Sequence, residues 1–225
     1  MPRPRTHDPD TVLDAAESLA VRSGPAAVTI RAVAAATGVS NGAIYHTFGS
    51  RAELLGRSWL RAARRYLTMQ SDLVEAHLGG SEARTTGSSN PRDAAHSSRV
   101  IEAVVAAAET PVEFAQRFPD SSKLLLTVSR DELLGDELPE QLAAELAGTD
   151  DALVRLIIRL ARALWGRGDA AAVDVITTCV VDLPTAILLR RDRIAEPIAR
   201  QHLRAAVRAV LDVGPPNPHS DEGTI

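Results

Sequence analysis

The stretch from Thr29 to Phe48 reads TIRAVAAATGVSNGAIYHTF, and this pattern predicts two short helices separated by a glycine turn. Thr29 is a favourable N-cap for the first helix, in which apolar residues then recur at helical spacing. Gly38 can adopt the left-handed backbone conformation that ends a helix and turns the chain sharply. Ser40 caps the second helix, and Ile44 and Phe48 continue its buried side.

The outward side of this second helix carries small and polar side chains. Asn41, Gly42 and Ala43 begin it, and Tyr45 to Thr47 follow on or near the same side. In a helix-turn-helix the first residues of the second helix meet base edges, so small and amide side chains there allow close approach to the major groove. The stretch therefore predicts a DNA-binding protein.

The spacing of these residues resembles the N-terminal domain of the TetR family of transcriptional regulators. The resemblance covers residues 9 to 60 and rests on one set of positions: Leu13, Ala15, Ala16, Leu19, Gly24, Thr29, Ile30, Arg31, Val33, Ala34, Gly38, Val39, Ser40, Gly42, Ile44, Tyr45, Phe48, Ser50, Leu54 and Leu55. Family members often have an aromatic residue at the position of Thr47 and a basic residue at that of Gly49. Beyond residue 60 the likeness is one of architecture only.

The resemblance implies an all-α fold. A three-helix helix-turn-helix domain at residues 1–52 is joined by a long fourth helix to a helical effector-binding and dimerisation domain at 53–213, and a disordered tail follows at 214–225. It also implies a ligand-responsive regulator, most directly a repressor. Such a protein binds a palindromic operator in double-stranded DNA as a homodimer, and a small-molecule effector releases it without any cofactor.

The composition is that of a helical protein of two domains. Of the 225 residues, 45% are hydrophobic but only 3% are aromatic, so the core must be built from Ala, Val, Leu and Ile. No secretory signal or uninterrupted apolar run long enough to span a bilayer is visible, so we expect a cytoplasmic protein without a membrane partner. The single cysteine, Cys179, is expected to be a packing residue.

Charge is distributed unevenly along the chain. Residues 1–65 contain nine arginines and five acidic residues, a net charge of +4, whereas the rest of the chain carries −8. This asymmetry favours attraction of the N-terminal part to phosphates and repulsion of the C-terminal part from DNA. Ordinary surface variation would give the same numbers, so charge alone does not decide the function.

The remaining helices are predicted from caps, prolines and periodicity. The first begins at Asp8-Pro9-Asp10 and ends near Ser23, and the fourth begins at Ser50, where Glu53 completes a capping box, and ends near His77. A segment from Leu78 to Asn90, rich in Gly, Ser and Thr, is expected to be poorly ordered. The later helices are predicted at 91–109, 112–118, 120–134, 139–165 with a break at 148–149, 169–190 with a kink at Pro184, and 194–213.

The candidate DNA contacts divide into residues that bind phosphate and residues that read bases. Thr29 and Arg31 start the second helix, where free backbone N–H groups and a guanidinium suit phosphate. Asn41 is the first choice for base readout because its amide can pair with adenine, while Ala43 can meet a thymine methyl group and Gly42 allows close approach. Tyr45 and His46 are expected to contact phosphate or sugar, and Thr47 to make a weaker contact. Ser40 is a further candidate, and the family resemblance implies that Arg51 contacts a phosphate.

Alternatives accompany two of these assignments, since Tyr45 could be a partly buried core aromatic and His46 a solvated surface residue. Arg3 and Arg5 could follow the DNA backbone or form an arm without specific contacts.

The C-terminal candidates follow from the resemblance. The small-molecule effector would meet residues on helices that surround a cavity: Trp59, Met69, His96, Phe114, Gln116, Phe118 and Arg130. The last two helices carry more apolar surface than one small core needs, and in the family these helices pair across a two-fold axis. The dimer candidates are Val173, Ile176, Val180, Leu183, Ile187, Leu203, Val207 and Val210.

Two other functional classes remain open. The C-terminal domain could be only a dimerisation or protein-partner module, or the chain could be an enzyme on a helical scaffold. The six histidines are scattered, and the sequence has no His-x-x-x-His pair, no cysteine pair and no glycine-rich phosphate loop. The acidic cluster from Asp131 to Glu137 is typical of a solvated helix end. We therefore expect neither catalysis nor a metal site.

Overall fold

The computed structural model describes residues 8–79, 91–129 and 138–217. Within these ranges the chain forms nine helices and no strand. Their bounds are α1 Pro9–Ser23, α2 Ile30–Thr37, α3 Asn41–Phe48, α4 Arg51–Leu78, α5 Pro91–Arg117, α6 Pro119–Thr127, α7 Glu140–Trp165, α8 Ala170–Leu189 and α9 Pro197–Val213. A single 3-10 turn, Pro25–Ala27, connects α1 to α2. The all-α fold class is confirmed.

The chain divides into two compact units, and the division falls within helices. Unit 1 comprises Met1–Arg65 and Ala115–Asp150, whereas unit 2 comprises Tyr66–Phe114 and Asp151–Ile225. The helices α4, α5 and α7 therefore each contribute residues to both units. This division differs from the expected boundary at residue 52, because α6 and the start of α7 belong to the same compact unit as the three N-terminal helices.

Unit 1 has a core of aliphatic side chains, as the low aromatic content requires. Its larger cluster contains buried residues of α1 to α4, including Val12, Leu13, Ala16, Ala20, Ile30, Val33, Ile44, Phe48, Leu54, Leu55 and Ala62, and it is completed by Leu124 and Val128. A smaller cluster joins Leu60 of α4 to Leu142 and Leu146 of α7. Burial of these stripes fixes which sides of α2 and α3 remain outside.

Unit 2 is held by a separate apolar cluster that joins α5, α7, α8 and α9. Its members include Val104, Ala108, Val112, Leu156, Leu160, Ile176, Leu188, Leu203 and Val207. Cys179 lies in this cluster fully buried, with Sγ 4.0 Å from the Val207 carbonyl oxygen. Burial raises the pKa of its thiol to about 12, which agrees with a packing residue.

Two prolines lie inside helices without ending them. The expected end at residue 109 was wrong, because α5 runs from Pro91 to Arg117 through Pro111. Helix α8 runs through Pro184 by forming π-helical turns at Thr178–Asp182 and Thr185–Leu189. These wider turns form hydrogen bonds between residues five apart, which is one way for a helix to pair its carbonyls around a proline.

Other expected helix bounds also differ. The helix expected at 120–134 is α6 and ends at Thr127, and residues 130–137, with their acidic cluster, lie outside the described residues. Helix α7 continues through Gly148 and Thr149, where the Thr149 hydroxyl donates to the Leu146 carbonyl at 2.7 Å. Residues 1–7, 80–90 and 218–225 also lie outside the described residues, so the expectations for the N-terminal arm, the linker and the end of the tail concern undescribed segments.

Among the described residues, one helix is long and apolar enough to cross a membrane by length and composition alone. This helix is α8, and 33% of its most apolar stretch is buried inside the protein. The buried part belongs to the core of unit 2. Several of the remaining apolar residues of α8 are partly buried and pack against the same core.

Candidate DNA-binding surface

The N-terminus of α2 is formed by Thr29 as the sequence predicts. The Thr29 hydroxyl accepts a hydrogen bond from the Ala32 N–H at 3.1 Å, and Thr29 itself is exposed. Arg31, in the first turn, is also exposed. A capped and accessible helix start with a neighbouring guanidinium is suited to a phosphate group.

The turn between α2 and α3 has the backbone geometry that its sequence requires. Gly38 has a φ of 71° in the left-handed region, and its N–H donates to the Ala34 carbonyl at 2.8 Å. Val39 is buried beside the turn. Ser40 then caps α3, because its hydroxyl accepts from the Ala43 N–H at 3.2 Å. The direction of α3 is therefore set by short-range hydrogen bonds and one apolar anchor.

Helix α3 buries one side and exposes the other. Its inner residues Ile44 and Phe48 are 1% and 3% exposed. The outer residues Asn41, Gly42, Tyr45, His46 and Thr47 are all exposed, and Ala43 is half-buried. Tyr45 keeps 57% of its surface, so it is not the core aromatic that the alternative reading allowed. The structure thus brings the candidate readout residues together on one accessible surface.

The Arg51 side chain donates hydrogen bonds to two backbone carbonyls of the same chain. Its Nε donates to the Val28 carbonyl and its Nη2 to the Pro25 carbonyl, both at 2.7 Å, and the side chain is half-buried. These bonds fasten the first turn of α4 to the 3-10 turn that precedes α2. The phosphate contact of Arg51 stays a prediction, and two of its guanidinium nitrogens already donate to backbone carbonyls.

Most other arginines of unit 1 are paired with acidic residues. Arg61 of α4 bonds to Asp10, Asp14 and Glu17 of α1 at 2.6 to 2.9 Å. Burial would lower the pKa of Arg61, but the hydrogen bond and charge of Glu17, with help from the two aspartates, raise it above its ordinary value.

Arg57 pairs with Glu53, and Arg64 with Glu145. Within the described part of unit 1, Arg22 and Arg31 are exposed and form no ion pair. The net charge of +4 therefore overstates the positive charge that is available to DNA.

The effector candidates of unit 1 have structural contacts. The Trp59 indole N–H donates to the Val128 carbonyl at 2.9 Å, and its ring packs against both cores of the unit. Phe118 is half-buried, with the guanidinium carbon of Arg65 5.4 Å from its ring centre. Gln116 is exposed.

The effector candidates of unit 2 are similarly scattered. Phe114 is fully buried and meets the Tyr66 ring edge to face, with centroids 5.3 Å apart. Met69 is half-buried, and His96 is exposed. Arg130 lies outside the described residues. The assignment of these residues to an effector site stays a prediction.

Two polar residues that were not singled out from the sequence lie on the inner side of α4. Tyr66 and Gln70 lie between Ala62 and Val74 in a series of residues spaced four apart. Ala62 and Val74 are both buried. Burial raises the pKa of Tyr66 well above its ordinary value. A glutamine within an apolar stripe was the available sequence signal, but its partner lies on another helix and could not be identified from spacing.

The dimer candidates divide into two sets. Four are completely or almost completely buried in the core of unit 2 and offer little surface to a partner: Ile176, Val180, Leu203 and Val207. The other four are only partly buried: Val173, Leu183, Ile187 and Val210. The periodicity located the apolar helices correctly, but it could not separate the side that faces the core from the side that remains accessible.

Comparisons with known proteins agree with this geometry. Residues 12–57 match the model of a family described as bacterial regulatory proteins, tetR family. This match confirms the resemblance inferred from the sequence. No curated protein matches the chain.

Solved structures with the same fold include PfmR, a TetR family transcriptional regulator from Thermus thermophilus. It is 17% identical, with a TM-score of 0.58, over 89% of this chain and 97% of that one. A protein from Saccharomonospora viridis, described as a transcriptional regulator in complex with choline, is 18% identical with a TM-score of 0.59, over 91% and 95% of the two chains. The multidrug binding protein EbrR, complexed with imidazole, is 17% identical with a TM-score of 0.53, over 96% and 99%. At these identities the likeness shows the fold alone.

Proposed function

We propose that the chain is a ligand-responsive transcriptional regulator that binds a palindromic operator as a homodimer, because residues 12–57 match the tetR family model. The observation that carries this proposal is the exposed outer side of α3 behind the Ser40 cap. Repression follows most directly, because a dimer that covers a promoter excludes other proteins. In this proposal residues 1–52 serve DNA binding, and residues 53–213 serve dimerisation and effector binding in the cytoplasm.

Base readout is assigned to the first turn of α3. Asn41 pairs bidentately with adenine, Ala43 contacts a thymine methyl group, and Gly42 lets the helix approach the groove closely. The exposure of Asn41 and Gly42 supports this assignment. Ser40 contributes by directing the helix through its cap.

Phosphate contacts are assigned to residues around that turn. Thr29 and Arg31 present the capped start of α2 and an exposed guanidinium, and Tyr45, His46 and Thr47 present polar groups beside the readout residues. Such contacts position the helix without reading sequence. Arg51 has an indirect role, since its bonds to two carbonyls hold the start of α4.

Dimerisation is assigned to the accessible surfaces of α8 and α9. The apolar composition of α8 and its incomplete burial support a second copy of the chain as the partner. One recognition helix touches too few base pairs for useful selectivity, whereas a two-fold dimer reads two half-sites one helical turn or a multiple apart. We assign Val173, Leu183, Ile187 and Val210 to this interface.

The dimer is tested by placing a charge on that surface. The substitution Ile187→Glu should shift the purified chain from dimer to monomer in light scattering and reduce binding to a full palindrome to the level of a half-site. Val154→Glu on α7, where the side chain is 47% exposed, is the matched control and should leave both properties unchanged. A monomeric parent protein would contradict the assignment.

Effector control is proposed from the fold and from the ligands of two proteins that share it, choline and imidazole. A ligand that favours one separation of the two α3 helices shifts the population away from the DNA-binding state. Choline and imidazole are therefore the first compounds to test for release of the operator. If no compound in a broad screen binds unit 2, a dimerisation or partner-binding module becomes the better description.

The central experiment is selection of genomic DNA fragments by the purified chain at several salt concentrations. We expect recovery of a sequence with two-fold symmetry and a binding constant that falls as salt rises. Enrichment of no sequence, together with no retardation of any duplex at low ionic strength, would contradict the proposal.

A further inference from the structure

The proline inside α5 leaves a carbonyl without its helical donor. Pro111 has no N–H, so the carbonyl of Ala107, four residues earlier, loses its usual hydrogen bond. Gln70 of α4 supplies the missing donor, because its Nε2 lies 3.1 Å from the Ala107 oxygen. A carbonyl oxygen can only accept, so this contact fixes which end of the Gln70 amide faces α5.

The other end of the same amide has no partner. Gln70 is 1% exposed, and its Oε1 is buried with no hydrogen-bond donor from any described residue. Buried acceptors nearly always have a donor, so an unpaired one requires an explanation. Since the Ala107 contact orients the amide, rotation of the amide cannot relieve the oxygen without depriving that carbonyl.

A second polar group lies one helical turn away. Tyr66 precedes Gln70 by four residues, so the two side chains occupy the same side of α4. Its ring contacts Phe114 edge to face, and burial raises the pKa of its phenol. Part of the Tyr66 side chain nevertheless remains accessible to solvent.

The polar groups on this side of α4 are uncharged. The carboxylate of Glu109, on α5, is already bonded to Arg200 and Arg204 of α9. The neighbouring positions of α5 carry the apolar side chains of Ala103, Ala107 and Val104. A ligand here would therefore meet an amide oxygen and a phenol within apolar surroundings.

We propose that Gln70 Oε1 accepts a hydrogen bond from an uncharged small molecule that carries one O–H or N–H donor on an apolar body, with Tyr66 beside it. The proposal rests on the proposed effector-responsive function and specifies the chemical class of the effector.

The test uses phenol and toluene, which have nearly the same shape and differ in the hydroxyl donor. Binding of each to the full chain without DNA is measured by calorimetry or ligand-observed NMR. The parent for comparison is Pro111→Ala, which restores a backbone N–H for Ala107. In that background the Ala107 carbonyl keeps a donor when the Gln70 amide is removed. The double variant Pro111→Ala with Gln70→Met therefore tests the loss of the Gln70 Oε1 acceptor alone.

We expect the preference for phenol over toluene to fall by about tenfold between the Pro111→Ala protein and the double variant, the range for loss of one hydrogen bond. The thermal midpoint of the double variant should equal or exceed that of Pro111→Ala, because a buried unpaired acceptor is removed. An unchanged preference, or failure of both probes to bind the parent, would overturn the proposal. A crystal structure with only a water bonded to Oε1 in the presence of phenol would also overturn it.

The proposed regulatory function is tested separately by adding phenol to the complex of the protein with its selected operator. If phenol binds at Gln70 but leaves the operator complex intact, the site stands and its coupling to DNA is wrong. If phenol fails to bind while another compound releases the operator, effector control stands and this site is wrong.

Discussion

The helix-turn-helix segment and unit 2 are organised by hydrogen bonds of different reach. The caps of α2, α3 and α4 each join residues three apart in sequence: Thr29 with Ala32, Ser40 with Ala43, and Ser50 with Glu53. In unit 2 the buried polar contacts join Gln70 with Ala107, 37 residues away, and Arg204 with Glu109, 95 residues away. Local bonds can be recognised from sequence, whereas distant ones depend on how helices pack.

This difference predicts a separation of mutational effects. Substitutions on the outer side of α3 should change DNA binding and leave stability almost unaltered, because those side chains are exposed. Substitutions at the buried polar contacts of unit 2 should change stability first. Variants of both kinds test this separation.

Glu109→Gln should cause the largest loss of stability. Glu109 is 6% exposed and bonds to Arg200 at 2.6 Å and to Arg204 at 2.6 and 2.9 Å. Breaking a buried ion pair costs about 3 to 5 kcal/mol, but water reaches both arginines, so we expect about 2 to 3 kcal/mol from urea unfolding at pH 7. Glu102→Gln, which breaks an exposed pair with Arg208, is the matched control and should cost less than about 0.5 kcal/mol.

The stability that Glu109 contributes has a defined pH dependence. Burial alone would raise the pKa of Glu109, but hydrogen bonds from Arg204 and Arg200 hold it below its ordinary value. A carboxylate with a lowered folded-state pKa contributes stability above its unfolded pKa of about 4.3, and this contribution is lost as pH falls through the folded pKa. The difference between the parent and Glu109→Gln should therefore be full at pH 7 and shrink below about pH 4. A constant difference across this range would contradict the ion-pair explanation.

Asn41→Ala should have the largest effect on DNA recognition. Loss of a bidentate contact to adenine weakens operator binding by about 1 to 3 kcal/mol and relaxes one base position. Fluorescence anisotropy with the selected operator and with random duplex of equal length measures the loss of operator affinity and shows whether that loss depends on sequence. Equal losses on the two duplexes would show that Asn41 does not read a base. The midpoint of thermal unfolding should not change, because Asn41 is exposed.

The sequence predicted the N-terminal helices closely because their determinants are local. The expected caps Thr29, Ser40 and Ser50 each accept the predicted bond, and Gly38 has the left-handed backbone that its position indicated. Apolar spacing also identified Ile44 and Phe48 as the buried residues of α3. For this segment the structure added mainly which arginines form ion pairs or donate to backbone carbonyls.

Elsewhere the missing information was the identity of distant partners. Pro111 looked like a helix end because nothing in its neighbourhood supplies the Ala107 carbonyl with a donor, and that donor comes from Gln70. The periodicity of α8 and α9 marked apolar positions without indicating which of them face their own core. Arg51 was assigned to phosphate from the family pattern, whereas its partners lie 23 and 26 residues earlier in the chain.

Arg51→Ala and Arg31→Ala should separate a structural arginine from a phosphate-binding one. Loss of the two bonds from Arg51 to backbone carbonyls should cost about 1 to 2 kcal/mol of unfolding free energy. Arg31 is exposed, so its removal should leave stability unchanged, weaken operator and random duplex alike, and reduce the salt dependence by about one unit of slope. The reverse outcome would make Arg51 the phosphate contact.

Substitutions at Ser40 should have the smallest effect, and they test directly whether helix capping and DNA recognition are separate at this residue. Ser40→Ala removes the cap of α3 and should cost about 1 kcal/mol of stability. Ser40→Asp keeps an oxygen that can accept from the Ala43 N–H, so stability should return, but a carboxylate near phosphates should weaken binding to every duplex. Ser40→Asn keeps the cap without the charge and should preserve both properties. If Ser40→Asn restores stability but not operator affinity, the Ser40 hydroxyl itself contacts DNA, and the division between capping and recognition at this turn is wrong.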